Sequence, residues 1–232
     1  MFYWNPTYML YVMLPTLIIT GLAQMWVRSA YQKWSQVQNS QHVSGQQTAE
    51  ALMSRGGIQR VGLELAQGGE LSDHYDPSSK VVRLSPGVAR SNSIAAMAIA
   101  AHEFGHVQQD QENSPLMALR TALVPAARLG PSLGIMMIIA GLILNFTGLA
   151  MIGLILFASV AVFTIATLPV ELDASRRALK LMRNTGLIVS DQDARGAQAV
   201  LTAAAFTYVA AVATSLLQLA YYAMIVFGSD RD

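Results

Sequence analysis

"PSLGIMMIIAGLILNFTGLAMIGLILFASVAVFTIATLPV", residues 131–170, runs for forty residues without a charged side chain. A helix that crosses a bilayer uses about twenty residues. The run therefore fits two spans joined by a tight turn. Asn145-Phe146-Thr147-Gly148 is the turn-like cluster in its middle. The same residues spell a glycosylation acceptor, but a turn this short would lie too close to a membrane to be modified.

Two further charge-free runs flank this hairpin. Tyr8 to Val27 gives twenty residues, with Pro15 tolerable in a membrane helix. No basic residue precedes it, whereas Arg28 and Lys33 follow, which reads as a retained anchor rather than a cleaved signal. Ala197 to Phe227 is the last run and contains Tyr208, Tyr221 and Tyr222. Only 12% of the 232 residues are charged, against about 25% in soluble domains. Much of the surface is therefore expected to face lipid. The net charge of +1 gives no sign of a nucleic-acid partner. The chain has no cysteine, which excludes disulfides and thiolate ligands. Any metal must be held by His, Asp or Glu.

The basic residues set the topology. Arg28, Lys33, Arg55, Arg60, Lys80, Arg83, Arg90, Arg120 and Arg128 lie between the first and second spans. Arg176, Arg177, Lys180, Arg183 and Arg195 lie between the third and fourth, and only Arg231 lies elsewhere. Basic loops stay on the cytoplasmic side. Both termini are thus expected outside and both large loops inside. Phe2, Tyr3, Trp4 and Tyr8 would form the outer aromatic belt, and Trp26, Tyr31 and Trp34 the inner one. The expected organisation is a first transmembrane helix (1–30), a cytoplasmic insertion (31–130) and a transmembrane hairpin (131–170). A cytoplasmic helix (171–196) and a fourth transmembrane helix with a short outside tail (197–232) complete it.

The insertion carries "AAHEFGHVQQ", residues 100–109. Ser91-Asn92-Ser93 supplies capping side chains ahead of a mostly apolar helix. Positions four apart share a helix face, so His102 and His106 point the same way and suit one zinc ion. In the pattern His-Glu-x-x-His, the glutamate, here Glu103, is the general base that takes a proton from the attacking water. Burying these three side chains in an Ala-rich helix without a partner would be costly.

A catalytic zinc takes three protein ligands and leaves a position open. His42 and His74 are one source for the third. Glu171, in "LPVELDASRRALKLM", is the better one, because an acidic group at a span end is costly unless paired or ligated. Pro169 suits a helix start or kink just before it. A second reading makes Glu171 a helix-capping carboxylate. Residues 73–86, "DHYDPSSKVVRLSP", read as a turn at Asp76-Pro77 and a short strand from Lys80 to Leu84. Arg176, Arg177, Lys180 and Arg183 form a basic helix face suited to anionic lipid headgroups. In a sharper reading, Arg176 pairs with Asp173 or Glu171. His42 sits in a polar stretch and reads as exposed.

"HEFGHVQQ", "DHYDPSSKVVRLSPGV" and "PVELDASRRALKLM" with the following "TGL" together resemble the YugP-type family of bacterial membrane zinc metallopeptidases. The resemblance extends from "MFYWNPTYML" to "LTAAAFTYVAAVATSLLQLAYY". More distantly, the chain is similar to HtpX-type membrane gluzincins, which carry a third ligand in Glu-x-x-Ala-Asp after a transmembrane hairpin. The resemblance implies that Glu171 is the ligand and Ala174 the alanine. Ser175 stands where that pattern has aspartate, and Asp173 is a candidate for its orienting role. Such folds place a strand edge beside the metal helix, which implies that Val81, Val82, Arg83 and Leu84 form the edge that receives substrate. His74 or Tyr75 is a candidate donor to the oxyanion; the other reading of both is turn and surface chemistry.

The resulting expectation is a mainly α membrane protein. It has four transmembrane helices and a small cytoplasmic α+β zincin-like insertion, and sits in the bacterial inner membrane with its active site facing the cytoplasm. It is expected to be a zinc metalloendopeptidase that cleaves membrane-associated or misfolded polypeptides. Membrane lipids, and membrane-protein partners or a homo-oligomer, are the other expected associations. The rival is a catalytically silent, zinc-stapled scaffold or a subunit of a larger membrane complex. The apolar runs hold no intramembrane charges, which argues against a transporter.

Overall fold

The structure, a computed structural model, describes residues 6–58, 61–69 and 72–228. Phe2, Tyr3 and Trp4 of the expected outer belt, and Arg60 and Arg231, lie outside the described residues. The elements in chain order are α1 (Pro6–Ser35, with a π-type turn over Met9–Met13), α2 (Gly45–Arg55), β1 (Gly62–Leu65), β2 (His74–Asp76) and β3 (Val81–Leu84). They continue as α3 (Pro86–Arg90), α4 (Ile94–Gln111), α5 (Pro115–Ile143), α6 (Thr147–Asn184) and α7 (Asp191–Gly228). Helices α1, α5, α6 and α7 are long and apolar enough to cross a membrane. The chain packs as two units. The first comprises Met1–Gln24, Pro115–Pro169 and Thr207–Asp232, and the second Met25–Ser114 and Val170–Phe206. This division places residues 115–130 with the apolar helices, whereas the charge pattern ended the insertion at 130.

In the first unit the central hairpin is α5 and the apolar part of α6. A Cβ on Gly134 would fall 2.6 Å from the Gly153 carbonyl oxygen, and one on Gly141 2.4 Å from Ala150 N. Small residues thus let the two backbones touch, the usual means of packing helices where lipid supplies no hydrophobic drive. The turn expected at Asn145 is present. Asn145 takes φ 50°, and Phe146 N–H donates to the Gly141 carbonyl at 2.8 Å, a left-handed helix closure. Val12, Ile138, Phe157, Tyr222 and Val226 form the buried cluster. Leu129, Met136, Ile155 and Met224 are exposed, as lipid-facing side chains are.

In the second unit α4 is the central element. Ser93 caps it, its Oγ accepting from Ala96 N at 3.1 Å, and thirteen of its eighteen residues are buried. Helices α2 and α3 pack against it. The sheet order is β1-β3-β2, with β1 parallel and β2 antiparallel to β3. This corrects one expectation: Val81, Val82, Arg83 and Leu84 form the central strand, paired on both sides. Their backbone groups are taken up by Gly62–Leu65 and His74–Asp76, and none remains for an added strand. Neither β1 nor helix α2 was anticipated. Pro169 neither starts nor ends a helix, for α6 runs through it. The expected third span and cytoplasmic helix belong to one helix.

The closest approach in this unit is between α4 and α6. A Cβ on Gly105 would lie 2.3 Å from the Ala174 carbonyl oxygen. Only glycine lets the backbones meet here. In an exposed helix interior, Gly→Ala gains up to about 1 kcal/mol. Gly105→Ala is expected to reverse that sign and to cost about 1–3 kcal/mol through overpacking against backbone, read as lower thermal stability of the detergent-purified chain.

Ser190 and Asp193 form a capping box at the start of α7. Ser190 Oγ accepts from Asp193 N at 3.1 Å, and Asp193 Oδ2 accepts from Ser190 N at 3.2 Å. Asp193 Oδ1 also accepts from Ser40 N at 3.1 Å, which ties the α1–α2 connection to α7. Burial opposes the charge, but the donors from Ser40, Ser190 and Val189 outweigh it and hold the carboxyl below its usual value. A lowered folded-state pKa stabilises above the unfolded value and is lost as pH falls through the folded one. Asp193→Asn is expected to cost about 1–3 kcal/mol at neutral pH, and the difference from wild type should shrink in acid, as pH falls below the ordinary Asp value of about 3.9. Denaturant unfolding at neutral and acid pH measures it.

Candidate metal centre

His102 and His106 stand one turn apart on α4, their rings at 85° with centroids 4.8 Å apart. Glu171, in α6, is 2% exposed and reaches both. Its Oε2 lies 3.2 Å from His102 Nε2 and 3.5 Å from His106 Nε2. One ligand atom from each of the three residues lies within 4.8 Å of the others. Ligands about 2.0–2.1 Å from a tetrahedral ion are separated by about 3.3 Å. The 3.2 and 3.5 Å separations of Glu171 from the two rings bracket that edge, and the N,N,O donor set is one that zinc accepts. The residues present therefore fit the ion. Neither His42 nor His74 belongs to this cluster, whose third member is Glu171.

The charge balance suits a cation. Burial pushes the His106 imidazole down, but its hydrogen bond to Glu171 and the charges of Glu103 and Glu171 outweigh that and raise it. Glu171 lies just past the charge-free run that ends at Val170. Burial pushes its carboxyl up, while hydrogen bonds and charge from His102 and His106 prevail and hold it well below the usual range. A negative carboxylate beside the His106 imidazole is thus favoured, and a metal would have to displace the proton that His106 directs at it. Glu103 is buried but is not one of the three converging groups.

Around the cluster stands a layer of orienting groups. Ser175 Oγ lies 3.3 Å from His102 Nδ1. Sequence reasoning noted Ser175 only as a departure from an aspartate pattern, yet it sits one turn beyond Glu171 and reaches the His102 ring. Gln109 was missed altogether. Its Oε1 lies 3.0 Å from His106 Nδ1, and its Nε2 donates to the Val170 carbonyl at 2.8 Å and to Asp173 Oδ2 at 2.9 Å. The available signal was its position three residues after His106, on the same helix face. Asp173 therefore acts on His106 through Gln109. Its cationic partner is Arg177, not Arg176. Arg177 Nε donates to Asp173 at 2.6 Å and Nη1 to Glu112 at 2.6 Å, because i,i+4 places Arg177 on the Asp173 face, while Arg176 points to solvent.

Both expected oxyanion donors hold other hydrogen bonds. The Tyr75 hydroxyl is committed to Asp110 Oδ2 at 2.7 Å, and His74 is exposed with Nδ1 2.8 Å from the Ser72 carbonyl. Asp110 also takes Lys80 Nζ at 2.6 Å. Tyr75 and Lys80 thereby fasten the β2–β3 hairpin to the last turn of α4.

Comparison with known proteins agrees with this geometry. Residues 8–227 match the model of a family described as "Putative neutral zinc metallopeptidase". The chain is 37% identical over 227 residues to the "Putative membrane protease YugP" of Bacillus subtilis (strain 168), covering 97% of this chain and 99% of that protein. No solved structure matches. With the match spanning nearly its whole length, this chain belongs to that family of neutral zinc metallopeptidases.

Proposed function

We propose that the chain is a membrane-embedded zinc endopeptidase that hydrolyses membrane-associated or misfolded polypeptides at the cytoplasmic face. The observation that carries this is the convergence of His102, His106 and Glu171 donor atoms within 4.8 Å. These three would hold the ion. When bound, zinc supplies a Lewis acid that polarises a carbonyl and acidifies water near neutral pH. Glu103, buried beside the cluster but outside it, takes the proton of the attacking water and delivers it to the leaving amine. Ser175 and Gln109 hold the two rings in place. An extended substrate needs an unpaired strand edge. That role falls to β2, the outer strand fastened to α4 through Tyr75 and Asp110, rather than to the central strand. The cytoplasmic orientation rests on the fourteen basic residues between spans one and two and between three and four.

Zinc content and hydrolysis of an unfolded protein substrate, measured on the same detergent-purified samples, test the reading. His106→Ala and Glu171→Ala should carry little zinc and no activity. Glu103→Gln should keep wild-type zinc yet lose about 10²–10⁴-fold in rate, the usual share of a general base. Equal zinc in wild type and the two ligand variants would end the proposal. Full activity in Glu103→Gln would end the assignment of the base. Inert wild-type protein that binds zinc would favour the scaffold reading.

A further inference from the structure

Gln109 has no exposed surface, and its amide is fully engaged. Nε2 donates to the Val170 carbonyl and to the Asp173 carboxylate. Neither partner can donate in return, since one is a peptide oxygen and the other a carboxylate paired with Arg177. These two acceptors settle which end of the amide is nitrogen. Oε1 is left to face His106 Nδ1, 3.0 Å away. An oxygen there can only accept, so Nδ1 keeps a ring proton, and Nε2, on the Glu171 side, is the nitrogen left to give up its proton and offer a lone pair to a metal. We infer that Gln109 is the positioning residue that selects the metal-binding nitrogen of His106, its own polarity being fixed by Val170 and Asp173. This rests on His102, His106 and Glu171 being the ligands. The partner of His102 is different in kind. The Ser175 hydroxyl at 3.3 Å donates or accepts equally well and imposes no direction. His106 is therefore the pre-set ligand and His102 the adaptable one.

Gln109 also joins α4 to α6, and the test must separate that role from selection. Gln109→Glu keeps an acceptor toward Nδ1 and loses the donors to Val170 and Asp173. Gln109→Lys keeps the donors and loses the acceptor. Zinc affinity of the full-length protein in detergent is measured by chelator competition, with thermal unfolding as the check on folding. Gln109→Glu should stay within roughly threefold of wild type, and Gln109→Lys should weaken binding roughly 10–100-fold, the range for orienting partners. The reverse order, or equal loss in both folded variants, overturns the inference. Ring-15N-labelled wild type gives a reading free of substitution. A slowly exchanging His106 Nδ1 proton is expected with and without zinc, and its absence overturns the proposal. Should wild type take up no zinc while that proton is present, the metal centre fails and the assignment of the His106 proton stands.

Discussion

The metal cluster depends on how closely two helices approach. On α4, His102, Gly105, His106 and Gln109 follow the i, i+3, i+4, i+7 spacing of one helix face. On α6, Glu171, Ala174, Ser175 and Ala178 do the same. These stripes meet. Gly105 sits over Ala174 with no space for a single added carbon, and Ala174 and Ala178 are fully buried. The small residues set the separation and the long polar ones use it. With α4 and α6 held this close, a glutamate side chain is long enough to bring its oxygen between two imidazoles of the facing helix. A bulkier residue at 105 or 174 would move the carboxylate out of range while leaving every ligand in the sequence.

Such a site is costly unless its charges are satisfied. Two imidazoles and two carboxylates lie in or next to α4 with little access to water. The fold meets the cost in layers. Glu171 is held between the rings, and Ser175 and Gln109 satisfy the far nitrogens. Gln109 then leans on Asp173, Asp173 on Arg177, and Arg177 on the exposed Glu112. The polar chain thus runs from the buried ring to the surface, so no member is left both buried and unpaired.

Much of this was legible in the residues, and the failures share a cause. Hydrophobic runs and charge placement revealed the four long helices, because a bilayer leaves a composition signal about twenty residues long. His102 and His106 were legible because helical spacing alone places them on one face. Glu171 was reachable from the cost of an acid at a span end. What failed depended on strand pairing and helix phase, which residue types alone do not give. Val81–Leu84 reads as a strand from its own residues, but whether it is central or an edge is decided by Gly62–Leu65, a short segment with exposed Leu65. Arg176 and Arg177 are adjacent in sequence, and only the helix phase relative to Asp173 distinguishes them.

Splitting the ligands between two segments has a physical consequence. His102 and His106 come from one helix and Glu171 from another, sixty-five residues beyond His106. An ion that joins them closes a long loop as a crosslink would. Its binding energy would then add directly to the stability of this unit. Two connections join α4 and α6 at the site independently of any ion: the Gly105–Ala174 contact and the Gln109 hydrogen bonds to Val170 and Asp173. Because both are made by protein groups alone, the site is shaped before metal arrives, and less of the binding energy is spent on ordering the chain. A ligand set built on one flexible loop could reach the same geometry only by taking that ordering cost from its affinity.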